Sequence, residues 1–247
     1  MIARKVSSIA ALLMLMVGCG TEASKDNASS KLTASELCRA SFTQEAYDQA
    51  LEHCLQAADY GDANAQFNLG LMHRWGFGVT QDLMKAVHWF QSASDQDHPD
   101  AQYNLAWRYS IGDELKRDYG EALRLFHAAA DNGHADAQYR LYWVYAWGAR
   151  QFGIATDFTE AALWAEHSAR QGNTLAQKTI GTLFELGHGV DRDYVTAQKW
   201  FIISATNGYP EAEIARDALA SRMAPEQVAK AQEIALRCMI TDYQNCE

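Results

Sequence analysis

The chain has 247 residues, a formal net charge of −10, and 48% hydrophobic residues with only three prolines. The excess of acid argues against binding to nucleic acid or, by charge, to anionic lipid, since both are polyanions. Apart from the N-terminus, the sequence has no apolar stretch near the roughly 20 residues that span a bilayer.

The N-terminus predicts export. Residues 1–18 begin with Arg4 and Lys5 and continue in an apolar run from Val6 to Val17, the length of a signal-peptide core. The run leads through Gly18 to Cys19 and resembles a bacterial lipobox, in which the cysteine becomes lipid-modified and N-terminal. Met16 stands where the lipobox usually has Leu. The alternative is an ordinary secretory signal with an incidental cysteine.

A lipidated Cys19 would anchor the chain permanently, because each buried CH₂ contributes about 0.8 kcal/mol. Gly20, rather than Asp, follows the cysteine and resembles the outer-membrane sorting pattern. We therefore expect a protein of the bacterial cell envelope, held in the outer membrane and facing the periplasm. Residues 19–34 are small and polar and are predicted to form a flexible tether.

The rest of the chain repeats itself. An Ala-Gln pair recurs at intervals of 36, 36 and 39 residues, and Ala212-Glu213 follows 36 residues later as a degenerate fifth copy. The four pairs are Ala65-Gln66, Ala101-Gln102, Ala137-Gln138 and Ala176-Gln177. Self-similarity at this period is typical of stacked helical repeats, in which no single unit can bury its apolar face alone.

Each unit consists of a helix, a glycine-containing loop, a second helix and a glycine turn. Later in the unit an aromatic column recurs, for example at Trp89-Phe90 and Trp200-Phe201. The pattern resembles the Sel-one-like repeat (SLR), a relative of the tetratricopeptide repeat, over roughly residues 45 to 235. The resemblance implies an all-α, right-handed α/α solenoid of about four full units over residues 35–222, with partial capping helices at both ends. Residues 223–247 are predicted to form a C-terminal capping helix and tail.

Four cysteines follow Cys19, namely Cys38, Cys54, Cys238 and Cys246. An even number in an exported chain favours disulfides, and three pairings are possible. We prefer the two local pairs, Cys38–Cys54 and Cys238–Cys246, because they lie at opposite ends of a solenoid. A loop of about 15 residues contributes roughly 3 kcal/mol by loop entropy. The alternative for Cys54 is a buried core thiol, because it aligns with Phe90.

A helical wheel divides the first helix of each unit into two faces. In the first unit Ala65, Leu69 and Met72 form the core stripe, and Phe67 and Leu71 point away from it. The equivalent residues are Tyr103 and Trp107, then Tyr139 and Trp143, then Lys178 and Thr182. The resemblance implies that first helices line the concave, peptide-binding side.

The candidate partner-binding residues are Phe67, Leu71, Tyr103, Trp107, Tyr139 and Trp143. The alternative for the Phe67, Tyr103 and Tyr139 position is packing between adjacent repeats. Trp75 and Trp147 are expected to support packing. Three further tryptophans, Trp89, Trp164 and Trp200, are expected in the core.

The sequence carries no arrangement typical of catalysis. It has no His-Glu-x-x-His, no G-x-S-x-G, no phosphate-binding loop and no Ser-x-x-Lys. An aspartate recurs just before each second helix, where it suits an N-terminal cap. These residues are Asp82, Asp118, Asp157 and Asp193. We predict no catalytic residue, no metal site and no cofactor.

Three functions remain open at this point. The favoured one is a lipid-anchored envelope scaffold that binds a protein or peptide partner and no nucleic acid. A second is recognition of glycan or peptidoglycan by the same aromatic surface. A hydrolase or β-lactam-processing enzyme is disfavoured, because the sequence offers no nucleophile with a base.

Overall fold

The computed structural model describes residues 33–243 and Cys246. The predicted signal peptide, Cys19 and most of the predicted tether lie outside the described residues. The described part is all-helical, which confirms the predicted helical solenoid. Its helices are α1 (Ala34–Thr43), α2 (Tyr47–Asp59), α3 (Ala63–Trp75), α4 (Leu83–Ser94), α5 (Pro99–Ile111), α6 (Tyr119–Asp131), α7 (Ala135–Trp147), α8 (Phe158–Arg170), α9 (Thr174–Leu186), α10 (Tyr194–Thr206), α11 (Pro210–Ala220) and α12 (Pro225–Ile240).

The leading unit is more complete than the sequence predicts. The sequence predicts only a partial capping element at this end, but α1 and α2 form a full antiparallel pair. Thr33 and Glu36 form a capping box that starts α1, so the solenoid begins inside the segment expected to be tether. The sequence shows no repeat there because α1 lacks the Ala-Gln pair that marks the other first helices.

Side-chain caps start the helices of each full unit. Asp82, Asp118, Asp157 and Asp193 each accept a backbone N–H in the first turn of the second helix, as predicted. The first helices end at glycines with left-handed backbone, which is the usual C-terminal stop. These glycines are Gly76, Gly112, Gly148 and Gly187.

The apolar core runs along the stack between paired helices. Phe90, Phe126 and Phe201 are fully buried at one position of three second helices, α4, α6 and α10. Of the three tryptophans expected in the core, only Trp200 is buried, because it packs with Ala235 and Cys238 of α12. Trp89 and Trp164 are half-buried.

A buried glutamine joins each unit to the one before it. Gln138 donates from Nε2 to the carbonyl of Ala130 in the preceding unit at 2.9 Å, and its Oε1 accepts from Gln171 of its own unit at 2.7 Å. Gln177 does the same with Ala169 and Asn207 at 3.1 and 2.9 Å. The repeated Ala-Gln pair therefore marks a hydrogen-bonded junction between units.

Both ends are fastened by disulfides in the preferred pairing. Cys38–Cys54 joins α1 to α2 with 4.7 Å between the Cα atoms, and Cys238–Cys246 joins α12 to the tail with 4.3 Å. Lys199 on α10 donates to the Cys246 carbonyl at 2.7 Å, which holds the tail against the last full unit. Cys54 is buried as its alignment with Phe90 predicts, but as a disulfide.

Among the helices described, none has the length and apolarity to cross a membrane.

We predict that Gly189→Ala destabilises the protein far more than Gly133→Ala. Both glycines have positive φ, but an added Cβ at Gly189 would overlap the Phe158 backbone, whereas the space beside Gly133 is open. Gly133→Ala should cost about 1–2 kcal/mol by backbone strain alone. Gly189→Ala should cost roughly 2 kcal/mol more, measured by urea unfolding. Equal losses of stability in the two variants would contradict the close approach of the loop that contains Gly189 to α8.

Candidate partner-binding surface

Two of the six candidate residues pack between repeats. Phe67 stacks on the imidazole of His98 in the next unit with ring centroids 4.8 Å apart, and Tyr103 stacks on His134 at 4.3 Å. Both side chains, and Leu71 beside them, are partly buried against the core of the stack. For Phe67 and Tyr103 the structure therefore shows the packing between repeats that the sequence analysis gave as the alternative.

The two histidines start the following helices. Nδ1 of His98 accepts from the Ala101 N–H at 3.4 Å, and Nδ1 of His134 accepts from Ala137 at 3.1 Å. Each ring reaches back with Nε2 to the preceding first helix, His98 to Asn64 at 3.3 Å and His134 to Asp100 at 3.5 Å. In both caps Nδ1 accepts, which leaves Nε2 as the ring nitrogen that can donate to Asn64 or Asp100.

This role of the histidines is absent from the sequence-based interpretation. Histidine is not among the favoured N-terminal caps. A signal was nevertheless present, because Asp62, His98, His134 and Asn173 occupy one column, and Asp62 and Asn173 are ordinary caps. Asn173 also reaches back, to Asp136 at 3.0 Å.

Trp107 is covered. The Arg140 guanidinium lies 4.5 Å above its ring, and Phe126 meets it edge-on at 6.2 Å. Trp107 was predicted to be exposed because a helical wheel describes one helix. It cannot show that the Arg140 side chain of the next unit contacts the ring.

An exposed aromatic patch lies on α7. Trp143 is 42% exposed and Trp147 is 71% exposed, and their rings stack with centroids 6.0 Å apart and planes 12° apart. Tyr142 contacts Trp143 at 5.3 Å and stacks on Tyr139, whose hydroxyl lies 3.3 Å from Thr179 Oγ1 in the next unit. We call Tyr139, Tyr142, Trp143 and Trp147 the aromatic patch.

Trp147 was expected to support packing, and that expectation is wrong. It is the last residue of α7, and the chain turns away at Gly148, so no following turn covers the ring. The same holds at the end of every full first helix, where one large apolar residue is exposed. These residues are Trp75, Ile111, Trp147 and Leu186, and they form a helix-end column with one member in each repeat. The sequence could have predicted this column, because each of its members directly precedes the glycine that ends the helix.

Cations of the first helices stand close to this surface. Arg74 donates to Asn104 Oδ1 at 2.6 Å and lies 4.7 Å over the Trp75 ring. Burial, followed by repulsion from Arg108, lowers the pKa of Arg74 below its ordinary value. By contrast, Arg108 itself is paired with Glu114 at 2.6 Å.

The site contains nothing that resembles a reaction centre. No group of three or more His, Cys, Asp or Glu side chains in the described part of the chain could hold a metal ion. Paired helices that stack in repeated units define the class: an α/α helical-repeat protein.

Comparison with known proteins agrees with this class. A model of the Sel1 repeat matches residues 63–98, 99–134, 135–173 and 175–209, together more than half of the chain. The chain belongs to the Sel1 repeat family, whose solenoid fold is commonly a scaffold for protein interaction.

Solved structures extend the likeness. A Sel1 repeat protein from Oxalobacter formigenes is 26% identical, with a TM-score of 0.68 over 83% of this chain and 88% of that one. A protective antigen present in uropathogenic Escherichia coli strains, which displays an SLR fold, is 26% identical with a TM-score of 0.53 over 80% of this chain and 49% of that chain. Chitin synthase regulatory factor 3 of Schizosaccharomyces pombe is 34% identical over 76 residues. This match covers 30% of the present chain and only 8% of the length of that protein.

We predict that stability falls as the pH drops below about 6.5. Burial is the main cause that lowers the pKa of His73, His98 and His127 from the ordinary value of 6.5. The unfolded chain then binds more protons than the folded one. The stability that these histidines contribute is therefore complete above pH 6.5 and is lost as the pH falls towards their lower pKa values in the folded protein. The free energy of unfolding should be lower at pH 5.5 than at pH 7.5.

His98→Asn provides the control. Asparagine already caps α9 at this position, so the variant should keep the cap and show a shallower decline between the same two pH values. An unchanged decline would exclude His98 from the effect.

Proposed function

We propose that this protein is a lipid-anchored scaffold of the bacterial cell envelope that binds a protein or peptide partner through the aromatic patch. The observation that carries the proposal is the stacked, exposed pair Trp143 and Trp147 on a helix of a Sel1 repeat solenoid. Tryptophan dominates binding hot spots, often with 2 kcal/mol or more per residue.

The patch suits binding because its support is rigid. Gln138 ties α7 to both neighbouring second helices, and Tyr139 reaches Thr179 on α9. The rings are therefore held in place before a partner arrives, which lowers the entropy lost on binding. The patch lies on α7, which is a first helix, and first helices line the concave side in the resembling repeats.

The anchor is proposed from the sequence. Residues 1–18 resemble a lipoprotein signal peptide, and Cys19 is the proposed site of lipidation. Gly20 and the polar residues after it favour an outer-membrane protein whose solenoid faces the periplasm. The anchor would supply the membrane contact, and the solenoid would supply the partner contact.

Glycan or peptidoglycan is the second candidate ligand. The observation that favours it is the pair Trp143 and Trp147, whose exposed rings lie nearly parallel, with planes 12° apart. Sugar rings stack on such faces. A shift of intrinsic tryptophan fluorescence on adding muropeptides would support this candidate, and it should be lost in Trp143→Ala/Trp147→Ala.

We predict that Trp143→Ala/Trp147→Ala abolishes capture of the partner by cross-linking in intact cells. The double variant removes exposed rings and leaves the core intact, so circular dichroism should be unchanged. Leu163→Ala is the matched control, because Leu163 is 50% exposed on the second helix α8. A protein captured by the wild type and by Leu163→Ala, but not by the double variant, supports the proposal. Capture that survives in all three contradicts the assignment to the patch.

We predict that Cys19→Ala leaves the protein unprocessed or soluble. Without the thiol no acyl chain can be attached, and detergent-phase partitioning should be lost. If the variant partitions like the wild type, the lipoprotein assignment is wrong.

A further inference from the structure

Three cations on the first helices have no carboxylate partner. They are Arg74, Arg140 and Lys178, one on each of α3, α7 and α9. Among the described residues, no carboxylate oxygen lies within 4.0 Å of any of them. Within the described part of the chain, their one hydrogen-bonded side-chain partner is the neutral Asn104, which accepts from Arg74.

The acids near these cations are already engaged. Glu114 and Asp113 are paired with Arg108, and Glu185 is paired with Arg222. Asp100 is occupied by His134, and Asp136 accepts from Asn173. The nearby acids therefore already have partners, and none of them forms an ion pair with Arg74, Arg140 or Lys178.

Arg140 is the most constrained of the three. Its guanidinium is fixed over the rings of Trp107 and Phe126, at 4.5 and 5.9 Å. Its Nε is buried and has no hydrogen-bond partner in the part of the chain described. Guanidinium has five donors in a planar fork that matches a carboxylate, and stacking on aromatic faces holds that fork in place.

The cations and the aromatic patch form one surface. Arg140 is three residues before Trp143 on α7, and Lys178 adjoins Thr179, which Tyr139 contacts. On the other side, Arg74 reaches Asn104 on α5, the helix that carries Trp107. A ligand lying across the first helices would meet a guanidinium, aromatic rings and then an ammonium group.

We propose that the partner segment is an acidic peptide, whose carboxylates bind Arg140, Lys178 and Arg74 while its apolar side chains contact Trp143 and Trp147. This inference rests on the proposed function and specifies the chemistry of the ligand. Charge complementarity is local, because the whole chain carries −10 and would repel an acidic partner at a distance. Specificity therefore comes from short-range, charge-assisted hydrogen bonds.

The test is selection from a random 12-residue peptide library on the intact solenoid, followed by binding measurements with fluorescein-labelled peptides. Selected peptides should be enriched in Asp and Glu. Replacing those acids by Asn and Gln should weaken binding about tenfold or more, since one hydrogen bond to a charged group has about that effect.

Variants locate the effect. Arg140→Gln should remove the preference for acidic over neutral peptide, and Arg140→Lys, which keeps the charge, should retain part of it. Arg124→Gln is the matched control, because Arg124 is exposed on the second helix α6, where it pairs with Glu121. It should bind both peptides like the wild type.

The outcomes separate the two proposals. Neutral or basic peptides that still require Trp143 and Trp147 would overturn the acidic ligand and leave the proposed function standing. Peptides whose binding ignores Trp143→Ala/Trp147→Ala would overturn both. If Arg140→Gln no longer folds, Lys178→Gln must lower the acidic preference; an unchanged preference in that variant contradicts the proposal.

Discussion

The buried glutamine near the start of the first helix in each full repeat is the contact on which the solenoid depends. A single side chain satisfies a carbonyl at the end of the preceding unit and accepts a hydrogen bond from the end of its own, as Gln138 does with Ala130 and Gln171. The bond to the Ala130 carbonyl is buried, so losing the glutamine would leave that carbonyl unpaired at a cost of about 1–3 kcal/mol, whereas the exposed Gln171 amide could turn to water. The spacing of these junctions sets the position of every helix that follows.

Equivalent aromatic residues have different roles because the residue that caps the next first helix differs between units. Where the next unit offers a capping histidine, Phe67 and Tyr103 are drawn into a ring stack and serve the junction. In the third unit the cap is Asn173, which offers no ring, and Tyr139 instead reaches Thr179 and stacks on Tyr142. The rings of Trp143 and Trp147 then remain outside the core, available to a partner.

Most of the fold followed from the sequence because its signals are local or periodic. The Ala-Gln spacing located the units, the aspartate caps located the second helices, and cysteine positions at the two ends gave the preferred pairing. Contacts between units could not be predicted from the sequence, because a helical wheel describes one helix alone. Hence Trp107 was expected to be open although Arg140 covers it, and Trp147 was expected to pack although it ends its helix in solvent.

The central claim is that the first helices divide their aromatic residues between the junctions and a free surface. Urea unfolding followed by circular dichroism tests it, with Tyr103→Ala compared against Trp143→Ala/Trp147→Ala. Tyr103→Ala should cost about 2–4 kcal/mol, because it opens a gap between units. The double variant should cost no more than about 1 kcal/mol, because it removes exposed rings. If the double variant is instead the more destabilising of the two, the patch holds the solenoid together and is not a binding surface.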